Sequence, residues 1–236
     1  MHKLSVIVPV YNEEKTLLSV LEDIKKISIK DVSKEIIIVD DYSVDGTKSL
    51  LRKIREDYIK IFYHQKNMGK GAAIRTALNH AKGDIVAIQD ADLEYDPKNI
   101  EKLIWPIIEG KADVVYGPRF AGKSLKLFGK NKTIMPTHLI GNKVLTFLTN
   151  LLYFSSLTDM ETGCKLFKKS VLERIKLKGN RFDFEPEITA KILKKGFKIK
   201  EMPIDFNPRT FKEGKKITWR DGIKAAYYLV KYRFSD

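Results

Sequence analysis

Apolar and polar positions follow two alternating rhythms along the first half of the chain. Leu4–Pro9 and Glu35–Val39 are short apolar runs rich in β-branched residues, the pattern of strands buried on both faces. Ile59–Tyr63, Asp84–Gln89 and Asp113–Tyr116 continue that series. Between these runs the spacing turns helical. Leu17, Leu21, Ile24 and Ile27 recur on one face, with Asn12 as the expected cap and Glu13 and Glu14 in the expected first turn. Leu50, Leu51 and Ile54, the small-residue stretch Gly71–Ala81, and Pro97–Glu109 with proline leading predict further helices. Strands alternating with helices of this size imply βαβ units and a mostly parallel sheet flanked by helices, hence an α/β fold.

The rhythm breaks after Gly117. Residues 119–143 are basic and weakly periodic, with Gly122, Gly129, Pro136 and Gly141 interrupting any pattern. Val144–Leu157 is unusually apolar. It is too short to span a bilayer, so it reads as a core helix or as one lying in a membrane interface. Pro186–Lys195 reads as helix, Phe197–Phe206 as strand, and Trp219–Phe234 as a basic amphipathic helix. No repeat, linker or low-complexity tract divides the 236 residues.

Charge sharpens this division. The net charge is +14, yet residues 1–118 hold 18 Lys and Arg against 19 Asp and Glu, while residues 119–236 hold 26 against 11. The second half therefore presents a field suited to polyanions such as phosphorylated substrates or an anionic membrane. A nucleic-acid partner is not expected, because aromatic residues do not interleave with the basic ones in a reader pattern. The single cysteine, Cys164, rules out an internal disulfide and a cysteine-based zinc cluster. The four histidines are scattered, and His138 reads as a packing residue. With a strand-like run directly after Met1 and no apolar stretch of roughly 18 residues, a cytoplasmic protein without a leader is expected.

In open parallel sheets ligands bind beyond the carboxyl ends of the strands. Polar clusters fall at those ends: Pro9-Val-Tyr-Asn-Glu13, Asp40-Asp41, Asn67-Met-Gly-Lys-Gly71 and Asp90-Ala-Asp-Leu-Glu94. Alternating carboxylates leaving a strand favour a hard divalent cation. A helix-loop-helix calcium site is excluded because Tyr95 stands where glycine is needed and a strand precedes it. Neither a Walker A loop nor a dinucleotide G-x-G-x-x-G follows strand one.

These clusters, with Asp159-Met-Glu-Thr-Gly163 and Pro203-Ile-Asp-Phe-Asn-Pro-Arg209 before Lys215-Lys216, resemble the ordered motifs of family 2 glycosyltransferases of the GT-A fold. Within that family the chain is similar to dolichol-phosphate mannose and glucose synthases and their bacterial polyprenyl-phosphate relatives. The resemblance covers nearly the whole chain and implies one domain over 1–236, with a nucleotide-sugar half (1–118) and an acceptor and phosphate half (119–236). It implies that Pro9, Tyr11 and Glu13 line a nucleoside pocket, that Val39 and Asp41 read the base, and that Lys70 and Ala91 border the donor. It implies that Asp90, Asp92 and Glu94 lie at Mg²⁺ or Mn²⁺, Glu94 standing where the family often has Gln. Asp92, Arg119, Arg209 and Lys215 carry the implied catalytic roles, the last with Lys216 as its alternative.

The implied reaction is metal-dependent, inverting transfer of a hexose from a GDP- or UDP-sugar to a polyprenyl phosphate, dolichyl or undecaprenyl. GDP-mannose is one candidate donor. An acceptor phosphate is already an anionic nucleophile near neutral pH and needs no strong base. The alternative acceptor is a carbohydrate hydroxyl, with Asp159 or Glu161 as base; structurally those two could instead cap and pair with Lys165. Glu185 and Glu187 read as partners for nearby Lys or Arg. The implied partners are the lipid and a membrane surface met through 119–157 from its cytoplasmic face, with room for a membrane subunit or a homo-oligomer.

Overall fold

A computed structural model describes residues 1–119, 136–207 and 219–235, without the side chains of 136–138 and 219–220. Along the chain run β1 (His2–Val10), α1 (Leu17–Lys26), β2 (Val32–Asp40), α2 (Thr47–Leu51), β3 (Ile59–Tyr63), α3 (Lys70–Leu78) and β4 (Ile85–Ile88). There follow α4 (Asn99–Leu103), α5 (Trp105–Ile108), β5 (Val114–Tyr116), α6 (Pro136–Tyr153), β6 (Lys165–Lys168) and α7 (Lys169–Glu173). The chain closes with α8 (Phe184–Lys194), β7 (Ile199–Glu201) and α9 (Trp219–Phe234). The strands form one sheet in the order β3-β2-β1-β4-β6-β5-β7. It is parallel except for β6, which runs antiparallel to both β4 and β5.

Strand alternation supplies both halves of the core. Val6, Val8, Ile36 and Ile38 face one layer with Leu17, Leu21 and Ile24 of α1. Ile7, Ile37, Val39 and Val86 face the other, against Ala73 and Ala77 of α3, Ile188 of α8 and Leu229 of α9. Because both faces are covered, these strands read as continuous apolar runs.

Several elements differ from the periodicity. Asn12 does not cap a helix: it adopts a left-handed backbone (φ 54°), and its side-chain oxygen accepts from the Val44 N–H. The Glu14 carboxylate likewise accepts from the Gly46 N–H, so the 12–14 segment is tied to the neighbouring turn and α1 starts only at Leu17. The helix expected over Pro97–Glu109 is two short ones, because Pro106 lacks the N–H that would continue the ladder. The strand expected over Phe197–Phe206 shrinks to Ile199–Glu201, since Pro203 cannot donate; Phe206 keeps one isolated bridge to Tyr95. The segment expected to be irregular to residue 143 is helical from Pro136, the position in a helix that best tolerates proline.

Candidate active site

The carboxyl ends of β1, β2 and β4 open into a cleft of about 590 Å³. Pro9, Tyr11 and Glu13 line its β1 side; Asp41 and Lys70 line the wall toward α3. Asp90, Ala91, Asp92 and Glu94 follow β4, and Arg119 follows β5. Of the residues expected at the site, Val39 stands apart: it is wholly buried in the core cluster that includes Ala73 of α3 and does not line the cleft. Arg209, Lys215 and Lys216 lie outside the described residues, as does the side chain of His138.

Asp41 is committed to the loop before α3. Its carboxylate accepts from the backbone N–H groups of Met68 (2.8 Å) and Gly69 (2.7 Å) and meets His64 Nδ1 at 2.7 Å. His64 reaches Thr76 through its other nitrogen. Gly69 sits at φ +98°, and a Cβ there would lie 2.4 Å from the Asn180 carbonyl oxygen, so only glycine lets the two segments pass. The same Asn180 carbonyl accepts from the Ala72 N–H, satisfying one donor at the start of α3.

From this loop Lys70 projects into the cleft. Its ammonium lies 2.8 Å from Asp90 and 3.2 Å from Glu185, and Glu185 in turn pairs closely with the fully buried Lys165. Burial opposes the Lys70 charge, but Asp90 and Glu185 outweigh it and hold the group charged above the ordinary lysine range. Burial first, then the adjacent Asp92 carboxylate, push Asp90 above the ordinary aspartate range against the pull of Lys70. The carboxylate loop itself is shaped by Leu93 in a left-handed conformation and by the Gln89 amide, which donates to the carbonyls of Asp90 and Tyr95.

The opposite wall holds a second buried pair. The Arg119 guanidinium meets Asp159 through two bonds of 2.8 Å, and the Arg119 N–H adds a third. Burial would raise the Asp159 carboxyl, but Arg119 more than reverses it and holds the group below the ordinary range. The expected pairing of Asp159 or Glu161 with Lys165 is therefore not what forms: Asp159 takes Arg119, and Lys165 takes Glu185 and the Met160 carbonyl. Glu185 and Glu187 do find lysine partners, Glu187 meeting Lys191 at 2.9 Å.

The glycosyl transferase family 2 model matches residues 5–176, most of the chain and every element that builds the β1–β4 edge of the cleft. The chain belongs to glycosyl transferase family 2. It is a family 2 glycosyltransferase with the mostly parallel, helix-flanked sheet of the GT-A fold. It is 31% identical to a UDP-N-acetylglucosamine–dolichyl-phosphate N-acetylglucosaminyltransferase of Methanococcus voltae, over 95% of this chain and 94% of that protein. It is also 31% identical to a dolichyl-phosphate beta-glucosyltransferase of Trichomonas vaginalis, over 97% of this chain and 72% of that one. In fold it matches a crystal structure of glucosyl-3-phosphoglycerate synthase from Mycobacterium tuberculosis holding Mn²⁺, UDP and glucosyl-3-phosphoglycerate. The TM-score is 0.75 at 17% identity, with 100% of this chain and 81% of that chain covered.

A divalent cation fits this glycosyltransferase site in a restricted way. Among the described residues no three His, Cys, Asp or Glu side chains gather as a ligand set, so Asp90, Asp92 and Glu94 do not form a ready three-carboxylate cage. Asp90 and Asp92 do press on one another electrostatically, which a cation would relieve. Two carboxylates completed by substrate phosphate oxygens is the ordinary Mg²⁺ arrangement.

The sequence reading missed Arg181 and Phe182 before α8 and Asp221 and Lys224 on α9, which complete the cleft. Only Asp221 and Lys224, the third and sixth residues of α9, carried any signal, as charges on an amphipathic helix.

Proposed function

We propose that this glycosyltransferase moves a hexose from a nucleotide-diphosphate sugar to a polyprenyl phosphate. The observation that carries the reading is a cleft pairing two carboxylates, Asp90 and Asp92, with largely buried cations, Lys70 and Arg119, on opposite walls. Departure of a nucleoside diphosphate requires that developing charge be stabilised, and an acceptor phosphate requires cationic surroundings rather than a base. Two relatives matched over most of their length are named for transfer to dolichyl phosphate.

Asp90 and Asp92 would hold Mg²⁺ or Mn²⁺ on the donor, where the ion would neutralise the leaving diphosphate. Pro9, Tyr11 and Glu13 line the nucleoside end, while Asp41 shapes it by fixing the Met68–Gly69 backbone. Lys70, held between Asp90 and Glu185, orients the first carboxylate. Arg119, Arg209 and Lys215 serve the phosphates, within a chain divided into a donor half (1–118) and an acceptor half (119–236). The reading is tested by supplying GDP-mannose, UDP-glucose and UDP-N-acetylglucosamine separately with a polyprenyl phosphate. One donor should give a glycolipid with Mn²⁺ or Mg²⁺ and none with chelator. Release of nucleotide only with a saccharide acceptor would replace this reading by transfer to a hydroxyl. Asp159 is a poor base for that route, being locked to Arg119, which leaves Glu161.

The membrane contact is carried by two packed helices. On α6 the exposed apolar residues Ile140, Val144, Phe147 and Leu151 recur at helical spacing, with exposed Phe154 just past its end, while Leu145, Thr149 and Tyr153 are buried. Beside it α9 exposes Ile223, Tyr227, Val230 and Phe234, and the Tyr153 hydroxyl donates to the Leu229 carbonyl between the helices. Among the described residues no helix is long and apolar enough to cross a membrane. The stripe suits an interfacial position instead, at the cytoplasmic face where the lipid phosphate is met. Phe147 and Leu151 are 69% and 61% exposed, so replacing both with Glu leaves the core intact. Co-flotation of this double variant with anionic vesicles is expected to weaken about a hundredfold, from about 1.5 kcal/mol lost per side chain. Its UDP affinity should not change.

A further inference from the structure

Glu161 is a cleft carboxylate to which polyprenyl-phosphate transfer assigns no task. It lies in the loop between α6 and β6 and lines the cleft, yet its Oε1 is buried with no hydrogen-bond partner among the described residues. Glu185 from α8 and Asp159 from its own loop present negative charge to it, and the Tyr116 hydroxyl of β5 stands nearby. The cations facing it are Lys165 on β6 and Arg119 after β5. Lys165 is already bound to Glu185 and to the Met160 carbonyl, and Arg119 is bound to Asp159. A carboxylate oxygen buried without a donor is costly, whereas the neutral acid has an O–H to give. Burial, then Glu185, accordingly push Glu161 up to about 7.

We propose that the Glu161 carboxyl, in its uncharged form, donates a hydrogen bond to a phosphate oxygen of the bound substrates, and that its ionised form repels that phosphate. The proposal rests on the phosphate-acceptor reading for its biological partner, and it assigns Glu161 the opposite of a general base. Glu161 lines the same cleft as Arg119, so a phosphate drawn there by the cation meets a donor instead of a second negative charge. The acceptor monophosphate and the donor diphosphate share the chemistry required.

Calorimetric binding separates the two sources, with farnesyl phosphate as acceptor probe and UDP with Mn²⁺ as donor probe, at pH 6, 7 and 8. The neutral fraction of Glu161 falls from about 0.9 to about 0.1 over that range, so the dissociation constant of the wild type should rise about tenfold for the phosphate it contacts. Glu161→Gln keeps the donor and cannot ionise. It should bind like the wild type at pH 6 and hold that affinity at pH 8, apart from the ionisation of the ligand, which both proteins share. A difference confined to farnesyl phosphate names the acceptor; one confined to UDP names the donor.

Thermal melts read the same charge without ligand. The folded-state value lies above that of an unfolded glutamate, so wild-type stability declines as pH rises toward and through about 7. The melting-temperature advantage of Glu161→Gln should therefore grow from pH 6 to pH 8. Parallel pH dependence of wild type and Glu161→Gln in both binding series would overturn the proposal. So would loss of binding or transfer by Glu161→Gln at every pH, the behaviour of a residue needed ionised. If farnesyl phosphate shows the expected difference but no nucleotide sugar yields a glycolipid, the transfer reading fails and the role of Glu161 stands.

Discussion

Replacing Asp92 with Asn is expected to lower sugar transfer by about 10²–10³-fold without loosening the fold, the range seen when one group stabilising developing charge is removed. The Asp92 carboxylate accepts from the Glu94 N–H through Oδ1, a bond that the Asn oxygen can keep. What the amide removes is charge beside Asp90, where the two carboxylates already strain against one another. Thermal stability should therefore be unchanged or slightly higher, while Mn²⁺ no longer strengthens UDP binding. Titration of UDP with and without Mn²⁺, alongside a melting curve, checks both halves. Glu94→Gln should behave differently, with transfer within about tenfold of wild type, because binding through two carboxylates and substrate phosphates leaves Glu94 outside the set. A Glu94→Gln variant as inactive as Asp92→Asn would restore the three-carboxylate site.

Asp159→Ala should cost the fold about 3–5 kcal/mol, because it strands a buried guanidinium. Asp159 has no exposed surface and Arg119 only 12%, so water cannot replace the two side-chain bonds and the backbone bond between them. For a chain of this size the melting temperature should fall by about 10 °C or more. The pH dependence has a defined sign. Arg119 holds the folded-state Asp159 below its ordinary range, so the pair contributes stability above that range and loses it as pH falls through the folded value. The gap between wild type and Asp159→Ala, measured by denaturant titration, should accordingly narrow in acid. A constant gap down to the acid limit would mean that packing, not charge, supplies the stability.

Both predictions concern residues whose types were legible long before their partners were. The strands β1 to β4 and the polar clusters at their ends are local patterns: a buried run, then a turn, then a helix start. Sheet geometry alone then sends Asp41, Asp90 and Asp92 to one edge, because parallel strands place all their carboxyl ends together. Charge asymmetry between halves and the apolar 144–157 stretch were equally visible. The stretch proved to be both core helix and exposed stripe, since one helix face packs on α9 while the other does not.

What local pattern cannot hold is the pairing of distant segments. Arg119 and Asp159 are 40 positions apart, Lys70 and Glu185 come from different helices, and the Asn180 carbonyl, with the positive φ, explains why position 69 must be glycine. β6 escaped notice because its four residues, Lys165–Lys168, include only two apolar ones; the buried Lys165 is tolerated there by the distant Glu185 together with the Met160 carbonyl. The sequence by itself determined the strand frame, the family motifs and the edge on which the chemistry lies, because these follow from short-range periodicity. The tertiary structure alone decided which cation neutralises which carboxylate, that Val39 faces the core, that α9 walls the cleft, and that the Glu161 Oε1 finds no hydrogen-bond partner among the described residues, because desolvation and Coulomb energies depend on distances that only folding sets.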